Sequence, residues 1–348
     1  MPPGRTVKTE NRLQPRWRGA IADHVVGLAW SPDGKRFAAA AVSGPITIFD
    51  AGLGTVVATL SGHGFGTTSV VWKPSGEALF TAGQDGHVRV WDTTLWQERA
   101  KWPGGAAWVE HLALNADGSC LASAAGKIVR LWDTATGAML RELPAHTNTV
   151  SALEWRPNAN QLAVAVYGGV RLYDAATGEV MRTLEWKGAP LCVHWSPNGT
   201  MLAHGNQDAT IHIWTIDKNA DEPLQMHGYL AKVRSLAWDF SSRFLATGGA
   251  PAACVWDCSG AGPGGIKPQM LAGHEEPLSA LAYQRRGYLL ATGGPEGQVC
   301  LWQPANKKAP QIGTDRYTSE ISILSWSPDD QRLAIGSADG TVGVARLV

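Results

Sequence analysis

The sequence predicts an all-β protein in which eight similar units, each a small four-stranded antiparallel sheet, close into one ring. Three observations support this prediction. A segment that pairs an aromatic residue with a turn recurs eight times, at intervals of 40 to 45 residues. Tryptophan occurs 16 times but tyrosine and phenylalanine 6 times each, which indicates a repeated position that selects indole. Glycine occurs 40 times, a high proportion that is typical of many tight turns.

Each unit has two aromatic positions. The first precedes a turn, as in AWSPDG at 29–34, and falls at Trp30, Trp72, Leu114, Trp155, Trp195, Trp238, Tyr283 and Trp326. The second is followed by aspartate in most units and falls at Phe49, Trp91, Trp132, Tyr173, Trp214, Trp256 and Trp302. Such regular self-similarity predicts tandem structural repeats.

The residues between the two aromatic positions alternate between apolar and polar, with glycine-rich turns, as in Ser69–Asp92. This pattern predicts three strands, and a fourth follows in each unit. Since four short strands cannot bury both faces alone, the units should pack side by side around an axis. We therefore predict an eight-bladed β-propeller over residues 10–348. Its units are approximately 20–60, 61–102, 103–143, 144–184, 185–226, 227–271, 272–312, and 313–348 together with 10–19.

Closure of the ring requires a strand from the N-terminus, because the last unit ends at its third strand. Residues 10–19 are expected to supply it, with Trp17 in the position that Leu60 holds in the first unit. Pairing of this strand with the C-terminal unit would remove an exposed edge. Residues 1–9 are then an N-terminal tail. A seven-bladed ring that excludes one unit is the alternative.

The Trp-Asp pairs at 91–92, 132–133 and 256–257, with the Gly-His pairs at 62–63 and 273–274, resemble those of the WD-repeat family over about residues 17–348. The resemblance implies a buried tetrad of His, Ser or Thr, Asp and Trp that links the outer strands of a blade. The matching positions are His63, Thr81, Asp85 and Trp91 in unit two, and His274, Thr292, Glu296 and Trp302 in unit seven.

The remaining units depart from this tetrad. Unit four keeps His146 but has Val164 and Tyr167 where the hydroxyl and the acid belong, and unit five has His204 at the hydroxyl position. Since a fully satisfied buried network rigidifies its surroundings, we expect uneven stability, with unit two the stiffest. These residues are expected to be structural and not catalytic.

Charge and composition exclude several classes of function. The formal net charge is +0, so a general nucleic-acid partner is not expected. Five scattered cysteines do not form a disulfide framework and favour a reducing compartment. The first residues lack the apolar stretch of a signal peptide, and no run approaches a membrane span. We expect a cytoplasmic protein without a membrane partner.

No motif for enzymatic chemistry is recognisable, so we expect no catalytic residue, no cofactor and no bound metal. His194, His204 and His212 could in principle bind zinc, but they lie on separate strands of unit five and are not expected to converge. Three residues separate Cys254 from Cys258, which is not a zinc-binding spacing on a strand. Cys254 is expected to be buried and Cys258 to lie in a turn.

The remaining candidates are aromatic and basic residues in loops that the resemblance places on the narrow rim, the face on which WD-repeat proteins most often bind partners. They are Phe65, Trp108, Tyr167, Trp186, Tyr229, Arg316 and Tyr317. Packing of these loops on one another is the competing interpretation. We predict a monomeric, non-enzymatic scaffold that binds protein or peptide partners on this rim. The alternative is a propeller that binds a small ligand or metal ion, or acts as an enzyme, at its central channel.

Overall fold

The computed structural model describes residues 11–218, 222–260 and 262–348, which form 32 strands and no helix. The strands make eight separate four-stranded antiparallel sheets, the blades of a propeller. This confirms the predicted eight-bladed fold. The predicted tail, residues 1–9, lies outside the described residues. Within the described part of the chain, no helix is available to cross a membrane.

The strands of the first four blades follow one another along the chain, from the inner strand to the outer. Blade one comprises β2 (Val25–Trp30), β3 (Arg36–Ala41), β4 (Ile46–Asp50) and β5 (Val56–Leu60). Blade two comprises β6 (Thr67–Trp72), β7 (Ala78–Gly83), β8 (His87–Asp92) and β9 (Glu98–Pro103). Blade three comprises β10 (Val109–Leu114), β11 (Cys120–Ala125), β12 (Ile128–Asp133) and β13 (Met139–Glu142). Blade four comprises β14 (Val150–Trp155), β15 (Gln161–Val166), β16 (Gly169–Asp174) and β17 (Val180–Glu185).

The second half of the ring repeats this order until the last blade. Blade five comprises β18 (Pro190–Trp195), β19 (Met201–Asn206), β20 (Ile211–Thr215) and β21 (Leu224–Met226). Blade six comprises β22 (Leu236–Trp238), β23 (Phe244–Thr247), β24 (Ala252–Asp257) and β25 (Gln269–Ala272). Blade seven comprises β26 (Ala280–Tyr283), β27 (Leu290–Gly293), β28 (Gln298–Trp302) and β29 (Gln311–Arg316). Blade eight comprises β30 (Ile321–Trp326), β31 (Arg332–Ser337), β32 (Thr341–Leu347) and the N-terminal β1 (Leu13–Ala20).

Burial follows the position of each strand within its blade. The second strands, such as β7 and β15, are buried at every residue because neighbouring blades cover both of their faces. The outermost strands, such as β5, are exposed along most of their length. The hydrophobic core is therefore a set of layers between adjacent blades, with one layer at each junction.

The N-terminal strand closes the ring as predicted, since β1 pairs antiparallel with β32. The predicted position of Trp17 was wrong by two residues. Leu60 lies opposite Ile46 in blade one, and the equivalent pair in blade eight is Gly19 with Val342. The bulge between Pro15 and Trp17 lies where the outer strands of blades one to four and seven also have one, so β1 pairs with the same register as an ordinary fourth strand.

The displaced Trp17 joins the closing strand to blade one. Its ring stacks on Phe37 and Phe49, with ring centroids 5.7 and 5.5 Å away, and its indole nitrogen donates a hydrogen bond to the Ala51 carbonyl at 3.1 Å. The N-terminal strand therefore contacts the blades on both sides of the closure.

Hydrogen bonds between inner strands hold neighbouring blades in place. Several first-position tryptophans donate their indole N–H to a carbonyl on the inner strand of the preceding blade. These pairs are Trp30 with Ser325, Trp155 with Ala113, Trp238 with His194, and Trp326 with Ala282. The bond from Trp30 spans the closure between blades one and eight. The loops at the ends of the blades are thus carried on a fixed frame.

Candidate functional site

All seven residues predicted on the narrow rim lie at one end of the propeller. We define the rim face as the loops that join the second strand of a blade to the third and the fourth strand to the next blade. In an antiparallel blade both kinds of loop emerge at the same end. Tyr167 lies between β15 and β16, Arg316 ends β29, and the other five lie between consecutive blades.

Three of these residues are strongly exposed aromatics. The exposed fractions are 89% for Phe65, 53% for Trp108 and 59% for Tyr167. Phe65 also has a backbone φ of 68°, in the left-handed region that bulky residues rarely adopt. The chain therefore holds a left-handed backbone at a large side chain that faces solvent. Arg316 is exposed as well and donates to the Gln298 side chain at 3.4 Å.

Two of the predicted rim residues are part of the core, which corrects their interpretation as exposed contacts. Tyr317 is buried between blades seven and eight, where the Arg18 guanidinium lies over its ring at 4.3 Å. Burial raises the pKa of Tyr317 above its usual value. The sequence pattern did not reveal this because Arg18 comes from the opposite end of the chain.

Tyr229 takes the place of the tetrad histidine in blade six. Its hydroxyl accepts a hydrogen bond from the indole N–H of Trp256 at 2.8 Å and lies 2.9 Å from the hydroxyl of Thr247. The sequence contained a signal for this role, since Tyr229 precedes Thr247 by the same 18 residues that separate His63 from Thr81.

A groove of about 800 Å³ opens on the rim face at blade four, and it brings together two of the predicted residues, Tyr167 and Trp186. Trp186 is half-buried, with its ring edge-on to His212 at a centroid distance of 3.9 Å. Arg171, Glu185 and Lys187 supply the charged part of the lining. Phe65 and Trp108 do not line this groove, because they precede blades two and three.

Sequence reasoning did not single out Arg171. The signal that could have found it is an arginine at the same position of three consecutive blades, directly opposite the hydroxyl position of the tetrad. Arg89 pairs with Thr81, Arg130 with Ser123, and Arg171 with Val164.

In blade two the four predicted tetrad residues form one continuous network. The Nδ1 atom of His63 lies 2.8 Å from the Asp85 carboxylate, and its Nε2 atom lies 2.8 Å from the Thr81 hydroxyl. Trp91 donates its indole N–H to the same hydroxyl at 2.9 Å. Because the carboxylate accepts from Nδ1, the hydroxyl can donate to Nε2, and every member is satisfied. Burial lowers the pKa of His63, so the ring is neutral in this chain of bonds.

Blade seven makes the same network with a glutamate in place of the aspartate. Glu296 reaches His274 Nδ1 at 2.5 Å, while the Thr292 hydroxyl lies 2.8 Å from Nε2 and accepts from Trp302 at 2.8 Å. The extra methylene of Glu296 is therefore accommodated. Its second carboxylate oxygen is buried and has no partner among the described residues.

Blade five has a different buried network, in which two histidines that were not expected to meet lie side by side. His204 and His212 are paired across β19 and β20, with ring centroids 5.0 Å apart. Trp214 donates to His204 Nε2 at 3.1 Å, and His204 Nδ1 lies 2.8 Å from the Asn206 side-chain oxygen. Burial lowers the pKa of His204 to about 3 and that of His212 to about 4.

The third histidine of this blade lies apart, as predicted: His194 faces Glu154 of blade four at 3.5 Å. Across the described residues, no group of three or more His, Cys, Asp or Glu side chains could hold a metal ion. The five cysteines are buried and unpaired, and burial raises the pKa of Cys258 to about 12. Such thiols are protonated and poorly reactive.

A second cavity contains few polar groups. It has a volume of about 380 Å³ and is lined by the inner strands of blades eight, one and two and the turns that follow them, together with Arg285 of blade seven. Its lining is Leu28, Ala29, Trp30, Pro32, Val70, Val71, Trp72, Pro74, Arg285, Ser325 and Pro328. This set of described residues includes no carboxylate, imidazole or thiol that could act as a metal ligand.

Comparison with known proteins agrees with this geometry. The family model described as "WD domain, G-beta repeat" matches residues 54–92, 96–133, 178–215, 222–257, 265–303 and 312–344. A second model, the anaphase-promoting complex subunit 4 WD40 domain, matches residues 142–196. The crystal structure of the computationally designed Ika8 protein superposes with a TM-score of 0.82 at 22% identity, covering 96% of this chain and 100% of that one. At that identity the likeness concerns the fold alone.

Curated relatives match over less than half of the chain. Meiotic fizzy-related protein 1 of Schizosaccharomyces pombe is 27% identical over 161 residues, which are 43% of this chain and 34% of that protein. Anaphase-promoting complex subunit cdc20 of Dictyostelium discoideum is 26% identical over 160 residues, 43% and 30% respectively. WD repeat-containing protein 1 of Gallus gallus is 28% identical over 155 residues, 42% and 24% respectively. The matches thus span between 24% and 34% of these relatives. Because the repeats matched by the family model cover more than half of this chain, the chain belongs to the WD-repeat family.

Proposed function

We propose that this protein is a non-enzymatic scaffold that binds a protein or peptide partner on its rim face. The observation that carries the proposal is the exposure of Phe65, Trp108 and Tyr167 on that one face, where more than half of the accessible surface of each residue is open to solvent. Aromatic side chains are the residues that most often anchor protein interfaces. The rigid ring beneath them keeps the three loops in fixed positions, which lowers the entropic cost of binding.

The names of relatives support a role in assembly. One is named as a subunit of the anaphase-promoting complex, and another, from Arabidopsis thaliana, as a cofactor of that complex. Because the matches span a third or so of these proteins, the proposal extends to assembly with protein partners and not to a named complex. We further propose a monomeric ring in the cytoplasm, where its five buried free cysteines would stay reduced.

The experiment compares partner capture by two triple variants that differ in the face they alter. The rim variant carries Phe65→Ala, Trp108→Ala and Tyr167→Ala. The control carries Leu53→Ala, Leu95→Ala and Tyr288→Ala, three comparably exposed residues in turns at the opposite end of the blades. Tagged protein is used to capture partners from native lysate, which are quantified by mass spectrometry, and thermal melts verify folding.

The rim variant should lose the partners that the wild type and the control retain. Equal capture by all three proteins would contradict the proposal. Loss of partners with the control variant alone would assign binding to the opposite face.

A further inference from the structure

We propose that the groove on blade four binds an acidic segment of the partner, with an aspartate or glutamate carboxylate on Arg171 and a neighbouring apolar side chain against Tyr167 and Trp186. The inference rests on the proposed function and specifies the chemistry of the partner. Its basis is a comparison of the same arginine position in three consecutive blades.

In blades two and three this arginine is paired with carboxylates from its own blade. Arg89 contacts Asp85 at 3.0 Å and Glu98 at 2.8 Å. Arg130 contacts Glu142 at 2.9 Å and donates to the Pro103 carbonyl at 2.9 Å. The fold thus repeatedly presents a carboxylate-binding guanidinium at this place, and the blade itself supplies the carboxylate.

In blade four both sources of the carboxylate are replaced. Tyr167 precedes Arg171 by four residues, as Asp85 precedes Arg89, and Thr183 lies opposite Arg171 where Glu142 lies opposite Arg130. The remaining polar contact of Arg171 among the described residues is His146 Nδ1 at 3.3 Å. Burial and the charge of Arg171 lower the pKa of His146 to about 4, so the imidazole is neutral and does not repel the guanidinium.

Arg171 therefore has a positive charge and free N–H donors on the wall of an open groove. Glu185 lines the same groove, but no carboxylate of the described residues is paired with Arg171. A guanidinium has five N–H donors in a planar fork that matches the two oxygens of a carboxylate. Arg171 is half-buried in a groove that Tyr167 and Trp186 also line, and partial burial strengthens such a charged hydrogen bond compared with one in open water.

The charge of the lining favours a carboxylate over a phosphate. Besides Arg171 the groove has Lys187, which is exposed, and Glu185, so its net charge is about one positive unit. A phosphate with nearly two negative charges would meet Glu185 with too little compensation, because phosphate sites as a rule gather several basic groups. A singly charged carboxylate matches the single positive charge of Arg171, which has no carboxylate partner among the described residues. Tyr167 and Trp186 add apolar surface for the residue next to it.

The test uses a phage-displayed library of random dodecapeptides, which are unphosphorylated, selected in parallel on the wild type and on Arg171→Gln. Peptides enriched on the wild type should share an Asp or Glu at one position beside an apolar residue. Arg171→Gln should lose this acidic preference. A synthetic peptide from the selection should bind Arg171→Gln ten- to a hundredfold more weakly, as expected for loss of a charged hydrogen bond.

Three further variants separate recognition from stability. Arg130→Gln removes the same residue from blade three and should leave the affinity for the peptide unchanged. Arg171→Lys keeps the charge without the planar fork and should bind with intermediate affinity. Arg171→Glu should reverse the preference, so that the selected peptides carry Lys or Arg at the same position. Thermal melts verify that each variant is folded.

The inference is overturned if the selected peptides share no acidic residue, or if their affinity does not depend on Arg171. It is also overturned if a phosphoserine in place of the acidic residue binds more tightly than the carboxylate. Peptides that depend on Phe65 or Trp108 and not on Arg171 would leave the proposed function standing without this site. If no peptide is selected and the rim variant captures partners as the wild type does, both proposals fail.

Discussion

Blades two and four have the same four-stranded architecture but differ at the tetrad and arginine positions. These positions are hydrogen-bonded within blade two and lack most of those partners in blade four. In blade two, His63 is bonded to Thr81 and Asp85, and Arg89 is paired with two carboxylates. In blade four, His146 Nε2 and the Tyr173 hydroxyl are buried without hydrogen-bond partners among the described residues. In blade two the polar side chains therefore bind one another, whereas in blade four an arginine is left on the wall of a groove.

The difference teaches that a repeat protein can vary one blade without altering its neighbours. The layers of apolar residues on both sides of blade four are as well buried as those around blade two. Packing between blades therefore supplies the shape, and the polar network is an addition that one blade can lack. A position freed from a structural role is then available for recognition.

Both blades depend on a closed ring, so removal of the closing strand β1 should reduce the stability of the protein more than any other change. A protein that begins at Ile21 lacks β1, including the fully buried Leu13, and exposes the edge of β32. Loss of a buried leucine side chain alone costs about 2–5 kcal/mol. We expect a sharp fall in melting temperature by circular dichroism. Gln14→Ala, an exposed change in the same strand, should melt like the wild type, and a truncated protein that also did so would refute closure by β1.

The second prediction makes blade two resemble blade four. Thr81→Val inserts the residue found at position 164 and leaves His63 Nε2 and the Trp91 indole N–H without their shared partner. Two buried polar groups without partners should cost about 3 kcal/mol of unfolding free energy. Urea denaturation measures this loss. Thr94→Val, on an exposed turn of the same blade, is the control. Similar midpoints for the two variants would mean that the network adds little to blade two.

The third prediction concerns acid. His146, His204 and His212 are buried with pKa values lowered to about 4, 3 and 4, whereas in the unfolded chain they titrate near 6.5. Between these values the unfolded state binds more protons, so the stability present at neutral pH is lost as the pH falls from about 6.5 towards 4. Each histidine adds at most about 1.4 kcal/mol per pH unit to the slope.

Urea midpoints at pH 7.5, 6 and 5 test this slope, with His146→Gln as the variant. The variant lacks one of the three groups, so its midpoint should fall less between pH 6 and 5 than that of the wild type. His24→Gln, which changes an imidazole in a loop on the rim face, serves as the comparison. A slope unchanged by His146→Gln would show that His146 does not contribute to acid sensitivity.

The sequence was sufficient for the features that repeat. The blade number follows from residues that recur at fixed spacing, and the closure by β1 from the fourth strand that the last unit lacks. The tetrad positions of blades two and seven follow from the resemblance to the WD-repeat family. Single events were harder to predict. Gly19 occupies the position at which blades one and two carry Leu60 and Trp102, so the aromatic pattern misplaced Trp17. Tyr317 is buried by Arg18, which is almost 300 residues distant in sequence.

The candidate site depended on what one blade lacks. The exposed aromatic residues could be proposed as binding residues from the loops in which they lie. An arginine without a carboxylate partner, such as Arg171, is recognised only when the partners of Arg89 and Arg130 are known. The pairing of His204 with His212 was likewise hidden, because alternation along single strands does not show which side chains of neighbouring strands face each other. Contacts across strands, and not the pattern within them, decide these sites.

The smallest expected effect comes from the reverse substitution, which gives blade four part of the network of blade two. Val164 follows His146 by 18 residues, as Thr81 follows His63, and the two side chains are nearly the same size. Val164→Thr should place a hydroxyl within reach of the unpartnered His146 Nε2 and stabilise the protein by about 1 kcal/mol or less, measured by urea denaturation. Val170→Thr puts the same hydroxyl into an apolar layer of this blade and should destabilise it by about 1–3 kcal/mol. Opposite signs for two identical substitutions in one blade would show that position 164 retains the geometry of the tetrad. If both destabilise equally, blade four has lost that geometry along with its residues.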